Sequence, residues 1–150
     1  MKILLDTKIL IHADNRASQF HGKAADVIRK ALRGEIEVCL TSQILYEFFA
    51  VVTNPRRVEH PLSADEAADI CLGLWECREI GKASPTATTP MKVFKLVRRL
   101  NLSGGKVFDC VLAVTAKENG VEKIYTENVE DFDFLQNQLR CNYFKLSKLS

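Results

Sequence analysis

The sequence predicts an α/β layer fold in which helices flank a short, mostly parallel β-sheet. Three observations support this fold class: short apolar runs recur along the chain, helical periodicity follows most of them, and turn residues separate them. A length of 150 residues fits one domain, residues 1–150, that can bury its own core. The hydrophobic share of 47% and the charged share of 27% are typical of globular proteins.

The first third of the chain is predicted to contain two strands and three helices. Thr7 is expected to cap the first helix, and either Thr41 or Ser42 the third. Gly34 is expected to end the second helix. The predicted strands span residues 2–5 and 35–40, and the predicted helices span residues 8–13, 20–32 and 42–52.

The rest of the chain continues the same alternation of strands and helices. Ser63 and Glu66 form a capping-box pattern that opens a helix running to about residue 77. Residues 84–90 are rich in Ser, Thr and Pro and are expected to form a loop. The other predicted elements are strands at 79–83, 122–126 and 142–145, helices at 91–100 and 107–119, and a turn at 101–105.

Three acidic residues lie inside apolar runs: Asp6, Glu47 and Asp109. Carboxylates are rarely buried unless something compensates their charge. Asp6 follows the first strand directly, Glu47 lies in the helix after the second strand, and Asp109 lies in the first turn of its helix. Ligands bind at the carboxyl ends of parallel strands, so we expect the three acids to reach one edge of the sheet. A shared divalent cation is the simplest single explanation for all three.

Two of the three acids also have a plain structural interpretation. Asp6 could cap the helix that follows it, and Asp109 could favour the amino end of its helix through the helix dipole. Glu47 is harder to explain in this way, because it lies in mid-helix beside aromatic residues.

Clustered carboxylates suit Mg²⁺ or Mn²⁺, which prefer oxygen ligands. A cation of this kind suits phosphodiester hydrolysis, because it polarises a phosphoryl oxygen and lowers the pKa of a bound water. No Ser/His/Asp pattern competes with this interpretation. The three histidines lack ligand spacing and are expected at the surface or at helix caps: His12, His21 and His60.

Composition adds weaker indications about partners and location. The net charge of +2 is compatible with a nucleic-acid partner, although charge alone favours solvated helix faces as the explanation of the basic clusters. The apolar runs are far shorter than the roughly 20 residues of a membrane span, and Asp6 interrupts any secretory signal. The cysteines are expected to be buried, reduced thiols of a cytoplasmic protein: Cys39, Cys71, Cys77, Cys110 and Cys141.

Four segments, in order, resemble motifs of the PIN-domain family, and specifically its VapC-type toxins. LLDTKILI at 4–11 resembles the opening strand and turn, and SQILYEF at 42–48 resembles the second acidic helix. VFDCVLA at 107–113 resembles the third acidic motif, and TENVEDF at 126–132 resembles a T-x-N-x-x-D-F form of the last motif. The resemblance extends from residue 1 to about residue 135 and implies a PIN-like three-layer fold.

The resemblance also implies a function, a metal and partners. It implies an Mg²⁺- or Mn²⁺-dependent endoribonuclease whose catalytic, metal-binding acids are Asp6, Glu47 and Asp109. The implied partners are an RNA substrate, with tRNA among the candidates, a cognate antitoxin and a second copy in a homodimer. Asp131 is a candidate fourth metal ligand, although it could instead cap the next turn. The candidate substrate contacts are Thr7, Asn128, Lys106 and Arg56, with Arg57 as an alternative on electrostatic grounds.

Two positions depart from the family pattern. Lys8 stands where the family usually has a small polar residue, and Asn128 stands where many members have Asp. Lys8 could remain in solvent, pair with a site acid or contact an RNA phosphate. These departures keep a second hypothesis open, a catalytically silent PIN-like module that binds RNA or protein. A DNA-directed nuclease of the same fold is a third.

Overall fold

Five parallel strands form one sheet at the centre of the computed structural model. The model describes residues 1–127, 129–131, 135, 139 and 142–145, with residues 131 and 142–145 described by their backbone alone. The strands are β1 Lys2–Leu5, β2 Glu37–Leu40, β3 Ile80–Lys82, β4 Lys123–Thr126 and β5 Asn142–Lys145. Their order is β3-β2-β1-β4-β5, and each neighbouring pair is parallel. The predicted α/β fold with a parallel sheet is therefore confirmed.

Helices connect the strands, and their bounds lie within two residues of the predicted ones. They are α1 Thr7–Asp14, α2 His21–Leu32, α3 Ser42–Val52, α4 Ala64–Glu76, α5 Thr89–Leu100 and α6 Lys106–Glu118. A short 3-10 helix spans Val129–Asp131. No helix within the described ranges has both the length and the apolar character that crossing a membrane would require.

Both faces of the central strands are covered. Successive strand residues point to opposite faces of a sheet, yet the last three residues of β1 and of β2 are all buried. The helices therefore cover the sheet on both sides, which gives the predicted three layers. The buried apolar side chains form one connected core.

The strand order creates a switch point at β1. From β1 the chain proceeds through β2 to β3 on one side, and it then crosses to β4 and β5 on the other side. At such a point the connections leave in opposite directions and open a crevice at the carboxyl ends of the strands. Asp6 follows β1 and Thr126 ends β4, so both residues lie at this crevice.

Side-chain caps fix where three of the six described helices begin, and at α1 the cap is the second of the two residues that the sequence offered. Asp6, rather than Thr7, is the N-cap of α1, because its carboxylate accepts a hydrogen bond from the Thr7 backbone N–H. Thr41 caps α3, and Ser63 forms the predicted reciprocal capping box with Glu66.

The predicted loop at 84–90 is too long by two residues, because α5 already begins at Thr89. Pro90 stands in the first turn of α5, where a proline loses no helical hydrogen bond. The first N–H groups of a helix have no partner within the helix, so a proline, which has no N–H, can occupy the first turn. Pro90 therefore opens α5, although a proline inside a helix would break it.

The expected burial of cysteines and exposure of histidines is correct only in part. Cys39 and Cys110 are buried, and burial raises the pKa of Cys39 to about 11. The other two described cysteines, Cys71 and Cys77, are half-buried, and Cys141 lies outside the described residues. His60 is exposed. His12 and His21 are half-buried where α1 passes into α2, and each has a hydrogen-bonded Nδ1.

Glu118, at the end of α6, ties that helix to the start of α5. Its carboxylate accepts hydrogen bonds from the hydroxyls of Thr86, Thr88 and Thr89, and it pairs with Lys92 Nζ at 2.9 Å. Hydrogen bonding, chiefly by Thr89 and then by Lys92, lowers the pKa of Glu118 to about 2. This carboxylate therefore anchors the α5–α6 pair while it stays ionised.

The substitution Glu118→Gln should lower the free energy of unfolding at pH 7 by about 1 to 2 kcal/mol. Hydrogen bonds to a charged group are each worth about 1.5 to 3 kcal/mol, and the amide retains part of them. The folded pKa of about 2 lies below the ordinary 4.5, so this stabilisation is complete above about pH 4.5 and disappears as the pH falls toward 2.

Urea unfolding over a series of pH values tests this expectation. The wild type and the Gln variant should converge in acid, and the exposed Glu59→Gln should match the wild type throughout. Equal stability of the wild type and Glu118→Gln at pH 7 would contradict the proposed anchoring role.

Candidate active site

The three predicted acids line one cleft at the switch point of the sheet. Asp6 comes from the end of β1, Glu47 from the middle of α3, and Asp109 from the first turn of α6. The cleft has a volume of about 380 Å³. Its lining consists of Asp6, Thr7, Lys8, Ile11, Glu47, Ala50, Val51, Arg57 and Asp109. Residues more than 100 positions apart in the chain therefore meet in one place.

Hydrogen bonds hold the backbone and both carboxylate oxygens of Asp6. Its Oδ1 accepts from the Thr7 N–H at 2.8 Å, and its Oδ2 accepts from the Thr126 hydroxyl at 2.8 Å. Its own backbone N–H donates to the Tyr125 carbonyl of β4 at 2.9 Å. The carboxylate thus has a fixed orientation at the junction of β1, β4 and α1.

Burial raises the pKa of Asp6 above its ordinary value. The hydrogen bonds from Thr126 and Thr7 and the positive charge of Lys8 act in the opposite direction, and the negative charge of Glu47 adds to the increase. The desolvated carboxylate is therefore a group whose ionised form a nearby cation would stabilise.

Glu47 is oriented by two neighbouring side chains. The Thr7 hydroxyl donates to Glu47 Oε2 at 2.8 Å, and Gln43 Nε2 donates to Oε1 at 2.9 Å. Thr7 consequently joins two acids, since its N–H binds Asp6 and its hydroxyl binds Glu47. Asp109 is half-buried and lines the same cleft from α6.

The donor chemistry of the cleft fits a hard divalent cation. Carboxylate and hydroxyl oxygens are the ligands that Mg²⁺ and Mn²⁺ prefer. As the side chains stand, no group of three acidic, histidine or cysteine residues in the described part of the chain is close enough to enclose an ion. Both carboxylate oxygens of Glu47 instead accept hydrogen bonds, from Thr7 and from Gln43.

Basic side chains border the acids. Lys8 is half-buried in the cleft wall, and within the described residues it forms no ion pair with a site acid. Arg57 also lines the cleft, whereas Arg56 is exposed in the turn after α3 and lies outside the lining. Lys106 is exposed at the start of α6, one turn before Asp109, and is not part of the lining.

The predicted fourth position lies largely outside the described residues. Asn128 is not described, and Asp131 is described only by its backbone, which ends the 3-10 helix Val129–Asp131. Thr7 stands in the cleft as a bridge between two acids. The roles predicted for Asp131, Thr7, Asn128, Lys106 and Arg56 stay predictions.

Two residues of the site were not singled out from the sequence. Gln43 precedes Glu47 by four positions, and this spacing puts the two side chains on one helix face. Thr126 lies inside the last motif, but its bond to Asp6 depends on β4 lying beside β1. The first residue was available from helical spacing, whereas the second required the strand order.

Comparison with known proteins gives a consistent family assignment. The PIN domain family model matches residues 3–135. Ribonuclease VapC24 of Mycobacterium tuberculosis is 30% identical over 129 residues, which cover 85% of this chain and 87% of that protein. Ribonuclease VapC48 of the same organism is 33% identical over 69 residues, 46% of this chain and 48% of that protein.

Solved structures show the same fold. VapC20 of Mycobacterium tuberculosis, a toxin that cleaves the sarcin-ricin loop, superposes with a TM-score of 0.65 at 17% identity, covering 91% of this chain and 95% of that one. VapBC-1 of nontypeable Haemophilus influenzae superposes with a TM-score of 0.66 at 14% identity, covering 99% and 100% of the two chains.

The substitution Thr126→Val should raise the pKa of Asp6 further. The Thr126 hydroxyl is the strongest of the influences that lower this pKa, and valine keeps the shape of threonine without the hydroxyl. The unfolding free energy should also fall, by about 1 to 3 kcal/mol, because a buried acceptor loses a donor. NMR titration of the Asp6 carboxyl carbon measures the shift.

The matched control is Thr53→Val, whose hydroxyl bonds the Phe49 carbonyl at the end of α3. That variant should leave the pKa of Asp6 unchanged. An Asp6 pKa that stays constant or falls in Thr126→Val would show that the hydrogen bond does not govern this carboxylate.

Proposed function

Because the chain belongs to the PIN domain family, we propose that it is a metal-dependent endoribonuclease that hydrolyses RNA phosphodiester bonds. We further propose that it is the toxin of a VapBC-type toxin–antitoxin pair. The observation that carries the proposal is the meeting of Asp6, Glu47 and Asp109 in one cleft at the carboxyl end of β1. The ribonuclease activity named for the relative VapC24 supports the same reaction class.

The three acids would hold one or more Mg²⁺ or Mn²⁺ ions, with Asp131 as a candidate further ligand. When bound, such a cation supplies Lewis-acid polarisation of the phosphoryl group and a water of lowered pKa. The protein contributes position. Asp6 is fixed by Thr7 and Thr126, and Glu47 is fixed by Thr7 and Gln43.

The cleft also has groups suited to an RNA backbone. Lys8 and Arg57 add positive charge beside the acids and would attract the phosphates next to the scissile bond. Lys106, Arg56, Thr7 and Asn128 are the further candidates for substrate contact. In this assignment Lys8 contacts the substrate, and its positive ammonium group lies next to the proposed metal ligands.

The structural neighbours support the proposal of an antitoxin partner. Structural neighbours include VapBC complexes from Rickettsia felis and Salmonella typhimurium, both bound to DNA. We assign to this chain a cognate antitoxin, a homodimeric state and a cytoplasmic location. Copurification with the product of a neighbouring small reading frame would support the antitoxin.

A catalytically silent PIN-like module is the second candidate function. Two observations favour it: Lys8 is located in the acidic cleft, and the described acids do not form a ready group of three ligands. A positive charge at the site opposes cation binding, and three separated carboxylates must move before they share an ion. Metal binding and cleavage separate the two candidates.

The substitution Asp109→Asn should abolish RNA cleavage and leave the fold intact, because the amide keeps the shape of the side chain and removes its charge. Cleavage of a total RNA preparation with added Mn²⁺ measures activity, and circular dichroism measures folding. The control is Asp69→Asn on the exposed part of α4, which should cleave like the wild type. Full activity of Asp109→Asn, in protein free of contaminating nuclease, would refute the mechanism.

Mn²⁺ should raise the melting temperature of the wild-type protein, since a ligand at 100 times its Kd stabilises the folded state by about 2.7 kcal/mol. Asp6→Asn and Asp109→Asn should lose this effect. Lys8→Ser should show it at lower Mn²⁺ concentrations, because removal of a nearby positive charge favours the cation. A wild-type protein that neither responds to Mn²⁺ nor cleaves RNA would favour the binding module.

A further inference from the structure

Each of two exposed aromatic residues directly precedes an acid of the cleft. Tyr46 precedes Glu47 on α3, and Phe108 precedes Asp109 on α6. Tyr46 is 72% exposed and Phe108 is 58% exposed, although aromatic side chains usually gain stability by burial. Neighbouring residues on a helix point about 100° apart, so each aromatic side chain lies on the flank of its acid.

The two aromatic residues share a second cleft beside the acidic one. This cleft has a volume of about 520 Å³ and lies between α3 and α6. Its lining consists of Ser42, Gln43, Tyr46, Glu47, Phe108 and Val111. Glu47 lines both clefts, so the aromatic cleft continues directly from the candidate active site.

We propose that Tyr46 and Phe108 form a base-stacking platform that holds unpaired bases of single-stranded RNA next to the scissile phosphate. The inference rests on the proposed ribonuclease function and specifies its substrate class, which is RNA with unstacked bases at the cleavage position. Proteins that bind single-stranded RNA commonly stack splayed bases on aromatic rings. A phosphate held at the acids would have the base of its nucleotide beside this platform.

The composition of the cleft suits a nucleobase. A base has two apolar faces and a polar edge, and here two rings and Val111 provide apolar contact while Ser42 and Gln43 provide polar groups. Neither Tyr46 nor Phe108 forms a ring contact or a hydrogen bond with any part of the chain that the structure describes. Both rings are therefore open to a stacking partner.

The same cleft lacks the features that a purely electrostatic RNA site would have. Its lining residues include no lysine or arginine, and its one charged side chain is Glu47. Affinity at this surface must then come from stacking and apolar contact, and the phosphate attraction is left to Lys8 and Arg57 in the neighbouring cleft. The two clefts thus divide the recognition of base and backbone.

The first experiment measures binding without cleavage. Fluorescence anisotropy in EDTA compares a short labelled oligoadenylate with an abasic oligomer that has the same ribose-phosphate backbone. Tyr46→Ala/Phe108→Ala should bind the oligoadenylate at least about 10-fold more weakly than the wild type, because stacking contributes at least about 5-fold per base and the variant removes two rings. The abasic oligomer should bind the wild type and the variant equally.

Matched variants separate stacking from simple apolar contact. Tyr46→Leu/Phe108→Leu keeps the apolar character and should bind as weakly as the double alanine variant. Tyr46→Phe/Phe108→Tyr keeps both rings and should bind like the wild type. Phe94→Ala removes an aromatic residue of similar exposure, 62%, from α5 outside the cleft, and it should have no effect.

Contrary results are distinct. The stacking platform would be overturned if the double leucine variant bound the oligoadenylate as tightly as the wild type does. It would also be overturned if the wild type bound the abasic oligomer as tightly as the oligoadenylate. A change of oligomeric state in the double alanine variant, measured by light scattering, would also overturn it and assign the rings to a protein interface. All these variants change exposed side chains, and circular dichroism checks that they fold.

Cleavage kinetics distinguish this inference from the function on which it rests. If the wild type cleaves RNA and the alanine variant has an unchanged KM, the platform is wrong and the ribonuclease stands. If the wild type cleaves nothing but binds oligoadenylate through its aromatic rings, the ribonuclease is wrong and the platform stands as a binding surface.

Discussion

The hydrogen bonds on Asp6 are the constraint on which the candidate site depends. They join the end of β1, the start of α1 and the end of β4 through Thr7, Tyr125 and Thr126. One side chain therefore caps a helix, connects two neighbouring strands and presents a carboxylate to the cleft. Because burial raises the pKa of this group, its hydrogen bonds and the charge of Lys8 are needed to offset part of that cost.

Thr7 extends this constraint to the second acid. Its backbone N–H donates to Asp6 and its hydroxyl donates to Glu47. Thr7 therefore links the acid at the end of β1 to the acid on α3. Asp109 arrives on a third element, α6, whose far end is anchored to α5 by Glu118. The site thus combines two acids that hydrogen bonds hold in place with a third acid on a separately anchored helix.

The departure at Lys8 acquires a physical meaning in the fold. Its charge lowers the pKa of Asp6, and it shares the cleft wall with Arg57. The positive charges of Lys8 and Arg57 can offset the repulsion among the three carboxylates in the metal-free protein. The same charges can attract an RNA phosphate. The sequence singles out this lysine as an exception, whereas the cleft relates it to both the acids and the substrate.

The sequence by itself determined the elements and the three acids. Apolar periodicity and a capping box such as that of Ser63 and Glu66 act over a few residues, so the sequence alone reveals them. Only the tertiary structure decided that β4 lies beside β1, which brings Thr126 to Asp6, and that Arg57 rather than Arg56 lines the cleft. It also decided that Tyr46 and Phe108, both in apolar runs, are exposed. These facts depend on strand order and on which helix face is covered, and contacts between residues distant in the chain set both.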